Sequence, residues 1–336
     1  MTRVADLISI ARIEDLTRRE FISGAFAAAL LIACGDDDET PDSAMRQLDD
    51  LFGPVALPSR PQRIIAGEDV TLNNMLAMGV KPIGGFIFAD SLIRHTSHLL
   101  PEDYVDLRKE GQLDIEKALA LDPDILISLG GTRSNPFLGE NCEKWKALLP
   151  TFCYEYDFIF EEQIKNNVVE LGEGLNMPDE AQELIQRFDE RVADMKRKVT
   201  DAGFNDKFVT VVRVFDANNY GLRIGTLESV VFRAIGIPQP PGQDDPTQGQ
   251  ISISAENLGI LNQSYALVVY ADDDDFHGGR SSVTEDLLRD HAVWQSLTPV
   301  REGRAVFLPP WNGADIPKAM TILDEIEQFV LPLARS

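Results

Sequence analysis

Two rhythms alternate along the first part of the chain. Short apolar runs bounded by Pro or Gly stand at 63–67 (Arg63-Ile64-Ile65-Ala66-Gly67), at 82–86 and at 124–129 (Asp124-Ile125-Leu126-Ile127-Ser128-Leu129). Between them lie helical patterns: Leu72, Met75, Leu76 and Met78 running to Gly79, then Ile115, Ala118 and Leu119 within 114–121. Short buried strands alternating with helices predict an α/β unit with a largely parallel sheet.

The pattern changes after Tyr156. Residues 161–174 read as a helix, and Pro178 opens a longer one. Ala181, Leu184, Ile185, Phe188, Val192, Met195 and Val199 recur every three or four residues, an apolar stripe on a charged surface. Pro178 suits the first turn and Gly203 lies just past the end. At about 1.5 Å per residue the predicted rod is roughly 33 Å long, enough to bridge two lobes. A second α/β unit follows. Strands are predicted at 208–215, 266–270 and 305–308, and helices at 227–235, 284–295 (with Ser282 and Glu285 as a capping box) and 316–333. The segment 239–250, rich in Pro, Gly, Gln and Asp, reads as a surface loop.

The first 34 residues follow a different logic. Thr17-Arg18-Arg19-Glu20-Phe21-Ile22 sets paired arginines before the apolar run 21–33, which ends Leu31-Ile32-Ala33-Cys34. That run is shorter than the ~20 residues a bilayer span needs, but it suits the core of a signal peptide. The arginines resemble a Tat export signal, and the ending resembles a bacterial lipobox. Residues 1–33 are therefore expected to be a Tat-type lipoprotein signal peptide, with lipidation at Cys34. Residues 34–54 are expected to be a lipidated tether, because Gly35-Asp36-Asp37-Asp38-Glu39-Thr40 cannot pack a core. The body is divided into a first lobe at 55–160, a linking helical segment at 161–204 and a second lobe at 205–336.

Charge narrows the partners. Thirty-one Lys and Arg against fifty-five Asp and Glu give a net charge of −24, which disfavours nucleic acid and anionic lipid head groups. No Gly-x-Ser-x-Gly elbow, phosphate loop or zinc-hydrolase helix is present, so no enzyme is suggested. Cys142 and Cys153, in an oxidising compartment, are candidates for a disulfide, with two free thiols the alternative. His95 and His98, near Asp90, make at most half a metal site, and a solvated segment is the plainer reading. The run Asp272 to Asp275 with His277 lacks the spacing of a calcium loop and reads as a solvated acidic turn.

Several segments, taken in order, resemble the substrate-binding proteins of ABC importers for iron–siderophores and cobalamin-type ligands. They are Pro61-Gln62-Arg63-Ile64-Ile65 through Pro82-Ile83-Gly84, then Leu113-Asp114-Ile115-Glu116-Lys117-Ala118 through Pro123-Asp124-Ile125-Leu126-Ile127. Trp294-Gln295-Ser296-Leu297 with Val300-Arg301-Glu302-Gly303-Arg304-Ala305-Val306 completes the set. The resemblance implies a class III periplasmic-binding-protein fold: α/β, two Rossmann-like lobes joined by one long helix, ligand in the cleft between them. It further implies a monomeric, lipid-anchored extracytoplasmic protein without a cofactor, which captures a ferric siderophore and delivers it to an ABC permease. The alternatives are haem or a corrinoid on the same fold, or a lipoprotein binding bare metal ions.

Open α/β sheets hold ligands at the carboxyl ends of their strands. On that rule the candidate contacts are Phe88, Arg133 and Tyr154 in the first lobe, near Glu68, Asp69, Phe86 and Tyr156, and Arg213, Tyr220, Arg223, Tyr270 and Trp311 in the second. Arginine forks suit the oxygens of a ferric chelate, and aromatics suit its organic frame. Val212-Arg213-Val214 with Tyr220 also resembles a subgroup that binds hydroxamate-type siderophores. For permease docking the resemblance implies one acid per lobe. Glu116 matches in the first lobe; in the second, Arg233 stands where the acid is expected, and Glu228 on the same helix is the substitute.

Overall fold

Burial of the apolar runs produces two five-stranded sheets separated by a pair of helices. The computed structural model describes residues 44–131, 139–156, 161–245, 248–271, 288–311 and 313–335. The chain divides into units 1–45 and 46–336, and the architecture here is that of the second.

A hairpin opens it, β1 (Met45–Asp50) and β2 (Gly53–Pro58). The first sheet takes β3 (Ile64–Ala66), β4 (Gly84–Gly85), β5 (Val105–Asp106), β8 (Ile125–Gly131) and β9 (Thr151–Glu155) in the order β5-β4-β3-β8-β9, all parallel. A two-residue ribbon, β6 (Arg108–Lys109) with β7 (Gln112–Leu113), stands apart. The helices of this half are α1 (Asp69–Ala77), α2 (Asp90–Ile93), α3 (Ile115–Ala120) and α4 (Gly139–Lys146). Next come α5 (Glu161–Leu175) and the 24-residue α6 (Pro178–Asp201). The second sheet, ordered β12-β11-β10-β13-β14, joins β10 (Val209–Val214), β11 (Asn219–Arg223), β12 (Gln250–Ser254), β13 (Ala266–Ala271) and β14 (Ala305–Phe307). Its helices are α7 (Leu227–Ile235), the short α8 (Ala292–Ser296) and α9 (Thr298–Arg301), and α10 (Ile316–Glu325), which continues through wider and tighter turns to Arg335.

Periodicity placed α5 and α6 almost to the residue. The stripe Ala181, Leu184, Ile185, Phe188, Met195 and Val199 of α6 is buried, against α5, α7 and α10. The end of α7 likewise follows its sequence signal: Gly236 takes a left-handed φ of 83°, which a side chain would disfavour. Two features depart from the expectations. Residues 45–54, expected as tether, form the hairpin, which is fastened to the first lobe rather than solvated. Buried Asp50 accepts from the Cys153 amide (3.0 Å) and from Lys146 Nζ (2.6 Å). The pairing of β11 and β12 was also not expected. β11 runs antiparallel to both its neighbours, β10 and β12, and Gly221 leaves the room on β11 that the Gln250 side chain occupies. The cysteines are joined: a Cys142–Cys153 disulfide ties α4 to β9.

One apolar core runs through both halves, from Leu57, Ile64 and Met75 across Phe188 and Val199 to Phe232, Ile322 and Val330. Beside it the halves share a buried polar joint. Asp315 caps α10 by accepting from the Lys318 amide (2.8 Å). It also accepts from Asn73 Nδ2 of α1 (3.0 Å) and pairs with His95 Nε2 (3.0 Å). The Ile316 amide donates to Asn74 Oδ1 (3.3 Å), and Thr96 Oγ1 donates to Asn73 Oδ1 (2.5 Å). Asp315 is 1% exposed, so these donors have no water to turn to. Asp315→Ala is expected to lower stability by roughly 1–3 kcal/mol, the range for stranding buried donors. Urea unfolding of the two proteins measures it; equal midpoints would show the joint to be dispensable.

Candidate ligand-binding site

A cavity of about 280 Å³ lies where Tyr156, just past β9, and Ile164 of α5 meet the first turn of α7. Arg223, Thr226, Leu227 and Val230 form its second-lobe wall, with Gly313 and Ala314 from the loop before α10. Both halves of the fold therefore contribute to it.

Register explains the second-lobe wall. Arg213 on β10 pairs with Tyr270 on β13 and with Gly221 on β11, so these positions lie side by side. Arg223 is two residues beyond Gly221 and belongs to the same face, since side chains alternate along a strand. Glu228, in the first turn of α7, has a fully buried side chain. Its Oε1 accepts from Arg223 Nε at 3.0 Å and from the Tyr270 hydroxyl at 3.2 Å. Burial, then the Glu228 charge, holds the Tyr270 phenol well above its ordinary pKa, which keeps it a donor. Arg213 stacks its guanidinium over Phe215, 4.7 Å from the ring centre, and Phe215 is 43% exposed.

The expected residues meet different fates. Arg223 lines the cavity, and Tyr270 reaches it through Glu228. Phe88 is 51% exposed, with its ring edge-on to Phe86. Tyr154 is buried, its hydroxyl 2.8 Å from Thr71 Oγ1. Trp311 is also buried, edge-on to Phe232, with Nε1 donating to Glu325; it stands two residues before the cavity-lining Gly313. Tyr220 is not at the cavity. It faces the other side of the sheet, packed with Val212, Val214 and Trp294, and donates to the Ala217 carbonyl at 2.9 Å. Arg133 and Cys34 lie outside the described residues, as does the acidic run at 272–275 with His277. Of the two histidines read as a solvated segment, His98 is exposed, but His95 is turned inward and pairs with Asp315; Asp90 pairs with Arg108 at 2.8 Å. Among the described residues no group of three metal-ligating side chains converges.

The two acids expected to meet a permease divide in the same way. Glu116 is exposed in the first turn of α3. Glu228, taken as its counterpart, is a correction: its carboxylate is buried under Arg223 and Tyr270, out of reach of a surface partner. The two sheets themselves point to a different residue. In each, the first strand pairs with the later strand that a short helix precedes, β3 with β8 and β10 with β13. Asp114 precedes α3, and Ser254 precedes the 3-10 helix Ala255–Gln263. Glu116 and Glu256 are each two residues past those positions, both exposed, and both two residues before a buried apolar side chain, Ala118 or Leu258. The signal was legible in the sequence, where Ser254-Ala255-Glu256-Asn257-Leu258 repeats the pattern of Asp114-Ile115-Glu116-Lys117-Ala118.

The fold and the two-sided cavity define a solute-binding protein of the periplasmic class. Residues 75–311 match the periplasmic binding protein family, and the chain belongs to it. It is 22% identical over 295 residues to the probable siderophore-binding lipoprotein YfiY of Bacillus subtilis (strain 168), covering 82% of this chain and 84% of that one. Among solved structures, Staphylococcus aureus SirA complexed with staphyloferrin B superposes with a TM-score of 0.63 at 18% identity, over 84% of this chain and 97% of SirA. Vibrio cholerae FhuD bound to Fe3+-Desferal gives 0.64 at 15% identity, over 81% and 98%. No helix among the described residues is long and apolar enough to cross a membrane.

Two buried carboxyls at the start of α1 add a pH response. Burial, with the neighbouring Asp69, raises Glu68 to about 8; burial, with Asp315, raises Asp69 to about 6. The folded state therefore holds more protons than the unfolded chain between about 4.5 and about 8. The stability this contributes is full below the ordinary carboxylate pKa and is lost as pH rises through 8. Thermal midpoints are expected to fall by several degrees between pH 5 and pH 8, and Glu68→Gln is expected to flatten that fall. A slope unchanged in the variant would place the response elsewhere.

Proposed function

We propose that this protein is the extracytoplasmic capture component of an ABC importer for a ferric siderophore, anchored through a lipid at Cys34. The observation that carries the reading is the cavity walled by both halves of the fold, with an arginine held in place on one side. A planar guanidinium donates paired hydrogen bonds to the oxygens that dominate the surface of such a chelate, and Tyr156, Ile164, Leu227 and Val230 of the cavity wall offer apolar surface to its frame. The kinship with a siderophore-binding lipoprotein supports the same reading. Tyr220 lies in the core, so the hint of a hydroxamate chelate loses one of its residues, and the proposal is held at the ferric siderophore.

Trp311 stands beside the cavity loop and reports on it. Titrating the purified protein with ferric tris-hydroxamate, ferric tris-catecholate, haem, cobalamin and free metal ions is expected to give saturable, submicromolar tryptophan quenching with a ferric chelate. Quenching by haem or cobalamin alone, or by bare metal alone, would replace this ligand by that one.

Glu116 and Glu256 are proposed as the acids that meet the permease, one from each half. In vesicles carrying the importer, Glu116→Arg and Glu256→Arg are each expected to lower ligand-stimulated ATP hydrolysis by at least about tenfold, since like charges opposed across an interface cost several kcal/mol. The affinity for ligand should stay unchanged in both. Full stimulation by either variant would remove that residue from the contact.

A further inference from the structure

The buried Glu228 has no place in docking, yet its carboxylate holds Arg223, which lines the candidate ligand cavity. We infer that Glu228 is a positioning residue for ligand capture: it fixes Arg223 so that the guanidinium presents paired donors to the oxygens of a chelate in the cavity. The inference rests on the proposed capture function and deepens it.

The argument is one of constraint. An arginine side chain loses much rotamer freedom when it orders on a ligand, and a residue that orders it beforehand reduces that loss. Arg223 is held at both ends. Its carbonyl accepts from Ser229 Oγ (3.2 Å) and Gln239 Nε2 (3.0 Å), and its Nε donates to Glu228. Glu228 is itself held, because its Oε1 also takes the Tyr270 hydroxyl. A buried carboxylate is expensive to keep, and here it is not fully satisfied: Glu228 Oε2 has no hydrogen-bond partner. Apolar residues of similar volume would fill that space as well, so packing alone gives no reason for the charge. Thr226 Oγ1, on the cavity wall three residues from Arg223, is likewise buried without a partner. The wall thus sets an anchored donor beside an unused hydroxyl. That pattern fits a ligand bearing paired oxygen acceptors.

The sign of a charge change separates positioning from bulk electrostatics. Glu228→Gln leaves the site one charge more positive, so electrostatics alone would tighten binding of the negative oxygens; positioning requires it to weaken. Glu228→Asp keeps the charge and withdraws the anchor by one methylene, and Arg223→Lys keeps the charge and removes the fork. Ferrioxamine B and ferric enterobactin serve as probes, in fluorescence titrations on the full-length protein, with whichever binds the wild type used for the series. All three variants are expected to bind it at least about tenfold more weakly, the loss of one charge-assisted hydrogen bond. Tyr220→Phe, on the opposite face of the sheet and away from the cavity, should stay within about threefold on the same scale. Thermal midpoints accompany each titration. If the Glu228 variants do not fold, Arg223→Lys decides alone. Wild-type affinity in Arg223→Lys, or equal or tighter binding in folded Glu228→Asp and Glu228→Gln, overturns the inference. If the wild type binds neither probe nor any other ferric chelate, the capture function fails instead, and the two failures are distinguishable.

Discussion

Asp315 is the point on which the two halves of this protein agree. A single buried carboxylate caps α10, accepts from Asn73 of α1 and pairs with His95. Each partner alone would be a modest hydrogen bond, but together they fix the start of the last helix against the first helix of the chain. The loop that carries Trp311, Gly313 and Ala314 is thereby set in place, and with it one wall of the cavity. A charged seam extends the same alignment along the outside. Arg191 of α6 reaches Asp324 and Glu327 at 2.7 Å, and Lys198 reaches Glu327 at 2.6 Å. Such surface pairs are individually weak, so the seam adds orientation to a joint whose strength lies in the buried core.

Much of this fold was legible in the sequence because its periodicities are clean. The stripe of α6 and the runs of β8 and β13 need only burial to become what they are. Short or irregular elements were harder. The hairpin at 45–58 depends on Asp50 meeting Cys153 about a hundred residues away in sequence, a contact that no local pattern announces. Asn219–Arg223 is a weak strand by composition and is held by β10 and β12 on either side.

The site was less legible, for a reason that is also physical. Candidate contacts were placed by the rule that ligands gather at the carboxyl ends of parallel strands, and β11 runs antiparallel. Alternation along it sends Tyr220 into one core and Arg223 to the opposite face, beside Arg213 and Tyr270. Charge by itself could not separate an acid meant for solvent from one meant for an arginine; the repeated segment around Glu256 carried that distinction, and the burial of Glu228 agrees with it. The net charge of −24 similarly says little about the cavity, which Arg223 lines from a sheet face that it shares with Arg213. Local geometry overrides the average wherever separations fall inside the screening length of roughly 8 Å.

The continuous core also governs how this chain must come into being. Asn73, Asn74 and His95 belong to the first third of the sequence, yet the groups that satisfy them, Asp315 and Ile316, are among the last to leave a ribosome. Until α10 arrives, the first lobe keeps part of an apolar face and several polar side chains without their final neighbours. Assembly is therefore closed by long-range contacts at the end of synthesis, which slows folding relative to a chain of independent halves. A ribosome that stalled shortly before residue 315 would leave a product unable to complete either half, and that product would be a natural target for proteolysis.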